Sequence, residues 1–297
     1  MKNQVSRAPE ARLSAAPIVL LALALLTPLA AGCGGGSGGR AARISVKGSD
    51  TMVILGQKWA DEYMKGHQDA VVAVTGGGSG TGIAQLINGT TDIAQSSRPM
   101  KDEEKAKIQE TTGAPVEEHA VAKDGVTIYV HNTNPVTKLT LDQLKAIYTG
   151  KTTNWKDLGG PDQAITAYSR ENNSGTYVFF KEHVLGGDDF MPSAQTLPGT
   201  AAVVNAVSKD PAGIGYGGIA YGGSVKHVGI AGADGTVIEP SEATIQDGTY
   251  ALSRPLYWYL TAKTPQAGRD LLTWATSPEG QAHVKAVSYT HLRAHET

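Results

Sequence analysis

The chain has 297 residues, with 28 acidic and 26 basic side chains and a formal net charge of −2. That balance offers no basic excess for nucleic acid. Apolar residues make up 40%, enough for a globular interior, while a single cysteine among 36 glycines excludes an intramolecular disulfide.

The first residues read as targeting signal rather than fold. Lys2, Arg7 and Arg12 precede an apolar run from Ala15 to Ala31, interrupted by Pro17 and Pro28 and ending at Gly32-Cys33. A basic start, an apolar middle and a small-residue exit mark residues 1–32 as a secretory signal peptide, not a transmembrane helix. Leu29-Ala30-Ala31-Gly32-Cys33 resembles the lipobox of bacterial lipoproteins, although Ala30 stands where that pattern more often has leucine. Cys33 is then the lipidated first residue of the mature chain. The glycine-rich stretch that follows gives residues 33–42 the composition of a flexible tether. No later run is long and apolar enough to span a bilayer.

Ile44–Val46 reads as a strand entering Gly48-Ser49-Asp50-Thr51-Met52, and Val53–Met64 as a helix with Ile54, Leu55, Trp59 and Tyr63 on one face. Val71–Thr75 is a strand leading into Gly76–Gly82, followed by a helix from Ile83 to Ile87. Asp92–Gln95 is another strand, and Lys101–Glu110 a charged helix. A strand pattern returns from Ala120 to His131. Thr140 and Gln143 fit a capping box for a helix through Ile147. Trp155, in a turn-rich segment, reads as a packing anchor. Ile165–Ser169 is a strand into Arg170–Thr176, with a helix from Tyr177 to Val184. Ala201–Val207 is helical, and Gly213–Gly218 is glycine-rich. Tyr250–Thr261 is a strand whose aromatics belong to the core, and Ala267–Thr276 is a helix. Strands alternating with helices predict an α/β fold. Residues 287–297, VSYTHLRAHET, resemble the translation of a transposase adapter. They are expected to be non-native read-through, so His291 and His295 are not read as a metal site.

Three loops carry the chemistry: GSDTM (48–52), GGGSGTG (76–82) and RENNSGT (170–176). Each follows a strand and opens a helix, where unpaired N–H groups and the helix dipole favour an anion. Small residues admit close backbone approach, and Ser and Thr hydroxyls donate without adding charge. Arg170 adds the planar fork suited to oxyanions. Gly76–Gly82 lacks the lysine of a P-loop and the spacing of a dinucleotide fingerprint. The histidines, among them His67, His119, His131, His183 and His283, show no metal-ligand spacing, and no nucleophile elbow is present. The reading is a tetrahedral oxyanion gripped from several sides, with no catalytic residue, no metal and no cofactor.

These loops, together with LTLDQLKAIYTGKTTNW (139–155), AGIGYGGIAY (212–221) and SPEGQ (277–281), occur in an order that resembles the phosphate-binding lipoproteins of bacterial high-affinity phosphate ABC importers. The resemblance covers nearly the whole mature chain. It implies a type II periplasmic-binding-protein fold: two α/β lobes joined by two crossover strands, with the ligand in the cleft between them. Lobe I is expected over 43–122 plus 255–286 and lobe II over 123–254, with crossovers near Ala120–Val126 and Tyr250–Pro255. The implied ligands are Thr51, the Met52 amide, Ser79, Arg170, Ser174, Gly175 and Thr176. Some members place an aspartate where this chain has Ser97, so Asp50 becomes the candidate acceptor for the proton of hydrogen phosphate. A buried carboxylate accepts that proton but faces bare oxygens in sulfate, which is how it rejects sulfate. The resemblance further implies a monomer anchored outside the cytoplasm that passes phosphate to a membrane permease. Binding of sulfate or molybdate, hydrolysis of a phosphate ester, and a sensor or adhesion role on the same fold are the competing readings.

Overall fold

A computed structural model describes residues 41–286. The signal peptide, Cys33, most of the tether and the 287–297 tail lie outside the described residues. Strand β1 (Ala42–Gly48) runs through a short 3-10 turn into α1 (Val53–Gly66), followed by β2 (Ala70–Thr75), α2 (Ser79–Ile87), β3 (Ile93–Ser96) and α3 (Asp102–Thr112). The long β4 (Glu117–Val130) leads to β5 (Lys138–Leu139), α4 (Leu141–Tyr148), β6 (Thr166–Arg170), α5 (Gly175–His183), β7 (Gln195–Leu197), α6 (Gly199–Val207) and β8 (Gly213–Gly218). Then come β9 (Lys226–Ala231), β10 (Val237–Ile238), α7 (Glu242–Gln246), β11 (Ser253–Leu260), α8 (Gln266–Thr276) and α9 (Pro278–Ala286).

The strands follow the order β2-β1-β3-β11-β4-β8-β6-β7, with β9 pairing β4, β5 and β10. β1 lies parallel to β2 and β3, as expected of strands joined by helices. β4 makes the passage between two halves. Its first part, Glu117–Gly125, pairs antiparallel with β11, and its second part, Val126–Val130, pairs with β8 and β9. β11 returns beside it, so two adjacent strands cross from one lobe to the other.

Each lobe has its own apolar interior. In the first, Trp59 and Trp258 meet edge to face at 5.1 Å, and the Trp59 indole donates to the Gly280 carbonyl at 2.8 Å. The second gathers Tyr148, Phe180 and Tyr216 with Ile128 and Val130 of β4 and Val228 and Ile230 of β9. Phe180 stacks on Tyr216 at 4.0 Å, and Tyr148 meets both rings edge-on. Aromatic pairs in these geometries add about 0.5–1.5 kcal/mol beyond their area burial. Trp155 is fully buried, and its indole donates to the Ala212 carbonyl at 2.8 Å, as a packing anchor would. The Thr140–Gln143 capping box is formed reciprocally, with bonds of 2.9 and 3.1 Å.

Several boundaries differ from the sequence reading. α2 begins at Ser79 rather than Ile83, and α5 at Gly175 rather than Tyr177. Gly77 and Gly78, at φ 110° and 89°, complete the turn early, and the Ser174 hydroxyl caps α5 by accepting the Tyr177 amide at 3.3 Å. β11 starts at Ser253, because Tyr250–Leu252 form a turn instead. The helix α9, absent from the periodicity reading, contains most of the SPEGQ motif. Its Gln281 side chain donates to the Val121 and Ala275 carbonyls.

Candidate anion-binding site

The three loops lie at the C-terminal ends of the parallel strands β1, β2 and β6, where open α/β sheets bind ligands. Asp50, Thr51 and Met52 form the 3-10 turn ahead of α1. Thr51 and Met52 are buried, and the Met52 amide, expected to face a ligand, donates to the Ser49 carbonyl at 3.0 Å. Ser79 opens α2 and is fully buried beside Ser97, with the two hydroxyl oxygens 3.4 Å apart. The Ser97 amide donates to the Ser79 hydroxyl, and the Ser49 hydroxyl to that of Ser97 at 2.9 Å. Arg170, Ser174, Gly175 and Thr176 end β6 and begin α5, and all four are buried.

These residues meet across the cleft. The Arg170 side chain is 2% exposed and donates to the Asp50 carboxylate at 2.8 Å, joining the two lobes by a charge-assisted bond. Asp50 also accepts the Gly77 amide at 2.8 Å. The hydroxyls of Thr51 and Thr176 are 2.9 Å apart. Gly175 packs so closely against lobe I that a Cβ there would lie 2.4 Å from the Ser79 hydroxyl oxygen and 2.7 Å from that of Ser97. Burial lowers the Arg170 pKa and Asp50 draws it back up, and a guanidinium keeps its charge in either case. The eight expected residues, together with Ser97 at the position where some relatives place an aspartate, thus lie in one region.

The structure adds residues the sequence reading did not name. Thr200, at the start of α6, accepts from Arg170 Nη1 at 2.8 Å, and the Tyr221 hydroxyl donates to the Asp50 carbonyl at 2.6 Å. Asn173 crosses the cleft: its carbonyl accepts the Gly80 amide at 2.9 Å, and its side chain donates to the Gly77 carbonyl and the Thr81 hydroxyl, both at 3.1 Å. On the crossover strands Arg254 pairs with the fully buried Asp124 at 2.8 Å. Neither stands out as a site residue in the sequence, since Asp124 follows Lys123 in a strand with several charges and Arg254 is an isolated charge in its own. A buried charge needs a partner.

A cavity of about 340 Å³ opens beside Arg170, lined also by Glu171, Asn172, Asn173, Tyr177 and Thr196. A larger one, about 620 Å³, lies in lobe II near Thr140 and Ile230, but its charged lining residues are Asp142 and Asp234. Those two carboxylates repel an anion, and among the described residues no cationic side chain lines that cavity to offset them as Arg170 offsets Glu171 in the smaller one. Among the described residues, no three His, Cys, Asp or Glu side chains are grouped to hold a metal ion, and no helix is long and apolar enough to cross a membrane.

Two lobes, two adjacent crossovers and a polar cleft lined by helix-opening loops define a hinged ligand-binding protein. A model described as a PBP superfamily domain matches residues 35–279. A phosphate-binding protein PstS of Staphylococcus epidermidis is 38% identical over 266 residues, covering 84% of this chain and 81% of the relative. The PstS of Staphylococcus aureus is 38% identical over 249 residues, with 80% and 75% covered. Among solved structures, a Clostridium perfringens chain with bound phosphate aligns with a TM-score of 0.78 at 30% identity, covering 84% of this chain and all of that one. An ABC-type phosphate transport receptor from Vibrio cholerae aligns at 0.66 and 29% identity, over 84% of this chain and all of its own. The chain belongs to the PBP superfamily and, within it, to the family of the phosphate-binding proteins PstS.

Proposed function

We propose that this chain binds inorganic phosphate outside the cytoplasm and delivers it to the permease of an ABC importer, without chemistry of its own. The observation that carries the reading is the convergence of three hydroxyl-rich, helix-opening loops from both lobes on the buried Arg170. The relatives named for phosphate and the neighbour with bound phosphate support it. The ligand set is Thr51, the Met52 amide, Ser79, Ser97, Arg170, Ser174, Gly175 and Thr176. Asp50 serves as acceptor for the phosphate proton, using lone pairs that Arg170 and Gly77 leave open. The Met52 amide has to exchange the Ser49 carbonyl for the ligand.

Lobe I comprises 43–122 and 255–286, lobe II 123–254, and the two close as a hinged monomer around the anion. Cys33 carries the lipid that holds the protein at the membrane, so Cys33→Ala releases it into the soluble fraction. Sulfate and molybdate share the shape of phosphate but bring no proton for a carboxylate to accept. Native mass spectrometry of protein purified without added phosphate tests the reading. The expected result is a bound species of phosphate mass that exchanges for added phosphate. Turnover of a phosphate ester, or a bound anion of another mass, overturns it.

A further inference from the structure

Arg170 has a counterpart on the hinge. Arg254 of β11 stands directly opposite Asp124 of β4, and its side chain is 2% exposed. Nε and Nη2 both donate to Asp124 Oδ2, at 3.1 and 2.8 Å. Nη1 donates to the Ser97 carbonyl at 3.0 Å. Nη2 also donates to the Thr176 hydroxyl oxygen at 2.9 Å and reaches that of Thr51 at 3.4 Å. The guanidinium lies over the Phe179 ring, 5.2 Å from its centroid, which fixes its plane. One buried cation therefore touches both crossover strands, the segment after β3, the turn before α1 and the first turn of α5.

A hydroxyl carries one proton and two lone pairs. When its oxygen accepts from a guanidinium, its proton must point away from that cation. A bond to a cation also polarises the O–H and strengthens it as a donor. Asp124 neutralises Arg254, so the cation can orient its neighbours without adding net charge to the cleft. Burial raises the Asp124 pKa, while Arg254 opposes that shift. The amides of Ile219 and Gly125 lie near enough to oppose it further, though neither closes a well-formed hydrogen bond to Oδ1.

We propose that Arg254 is a positioning residue of the anion site: held by Asp124, it fixes the hydroxyl oxygens of Thr176 and Thr51, which already share one proton between them at 2.9 Å, so that the remaining proton of the pair turns toward the bound anion, and it ties both lobes' donors to the hinge. This rests on the phosphate reading. It assigns to the hinge a role in recognition as well as in motion.

The test is a double-mutant cycle read by calorimetric titration with inorganic phosphate, with thermal melting as the control for folding. Removing Arg254 alone would strand a buried carboxylate, so the first variant pairs Arg254→Gln with Asp124→Asn, which keeps the site neutral. The pair is expected to weaken phosphate binding about tenfold, and Thr176→Val to cost far less in the paired variant than in the parent. Should the paired variant fold poorly, Arg254→Lys keeps the charge beside Asp124 but loses the fork, and the same loss of coupling to Thr176 is expected. Parental affinity in a folded variant, or an undiminished Thr176→Val effect, overturns the proposal. A parent that binds no phosphate overturns the reading beneath it as well.

Discussion

Arg170 is the residue on which both lobes depend, because its guanidinium holds Asp50 on one side and Thr200 on the other. Arg170→Ala removes a charged donor from a buried site, and phosphate binding is expected to weaken by about 1.5–3 kcal/mol or more. Calorimetric titration of the folded variant checks it, and unchanged affinity would remove Arg170 from the site. Asp50→Ala has two effects, which a single affinity would confuse. It frees the positive charge of Arg170, which strengthens binding of any anion, and it removes the acceptor assigned to the phosphate proton. The ratio of phosphate to sulfate affinity isolates the second effect and is expected to fall. A constant ratio in competition titrations would leave Asp50 as the counter-charge of Arg170 only. The loop residues were legible because glycine, serine and threonine cluster before helices and the chemistry of anions asks for them. Arg254, Asp124 and Thr200 were not, because they reach the cleft from distant parts of the chain and stand in no such cluster.

At the scale of elements, the entry to α5 acts as a latch. Asn173 contributes two side-chain bonds and one backbone bond to the loop before α2. Asn173→Ala keeps the backbone bond and loses the other two, at about 1 kcal/mol, since each is worth about 0.5–1.5 kcal/mol and the site is partly exposed. The expected outcome is a faster release of phosphate with little change in its association rate, measured by stopped flow. A slower association with unchanged release would contradict the latch. The start of α3 carries a separate device, the twofold bond from Arg98 to Glu104 at 2.7 and 2.8 Å. Burial raises the Glu104 pKa, but the bonds from Arg98 and the Lys101 amide outweigh it and leave it below its ordinary value of 4.5. A folded-state pKa below the unfolded one means that this stabilisation is complete above about pH 4.5 and is lost as pH falls through the folded value. Melting curves between pH 6 and 3 should therefore show a shallower acid limb for Glu104→Gln than for the parent, and parallel limbs would contradict the assignment. Helix α3 was read from its charge pattern, whereas this pair was not, since Arg98 precedes the helix and reads as an ordinary loop charge.

Over the whole molecule, strand–helix alternation indicated the α/β class, and periodicity located most helices to within a few residues. The pairing of β4 with β11 was not visible in local pattern. It joins segments more than 120 residues apart, a partnership that no local period reports. The short strands β5, β7 and β10 were missed for a related reason: two or three residues carry no period. The same long-range pairing sets Arg254 of β11 against Ser97, Thr51 and Thr176, so that under the proposed function closing the lobes and gripping the anion are one event. Calorimetric titration of phosphate-stripped protein with phosphate and then with sulfate tests that account most directly. Saturable one-to-one binding of phosphate, with sulfate unable to displace it at equal concentration, is the predicted result. Absence of phosphate binding by folded protein, or equal binding of the two anions, would contradict it.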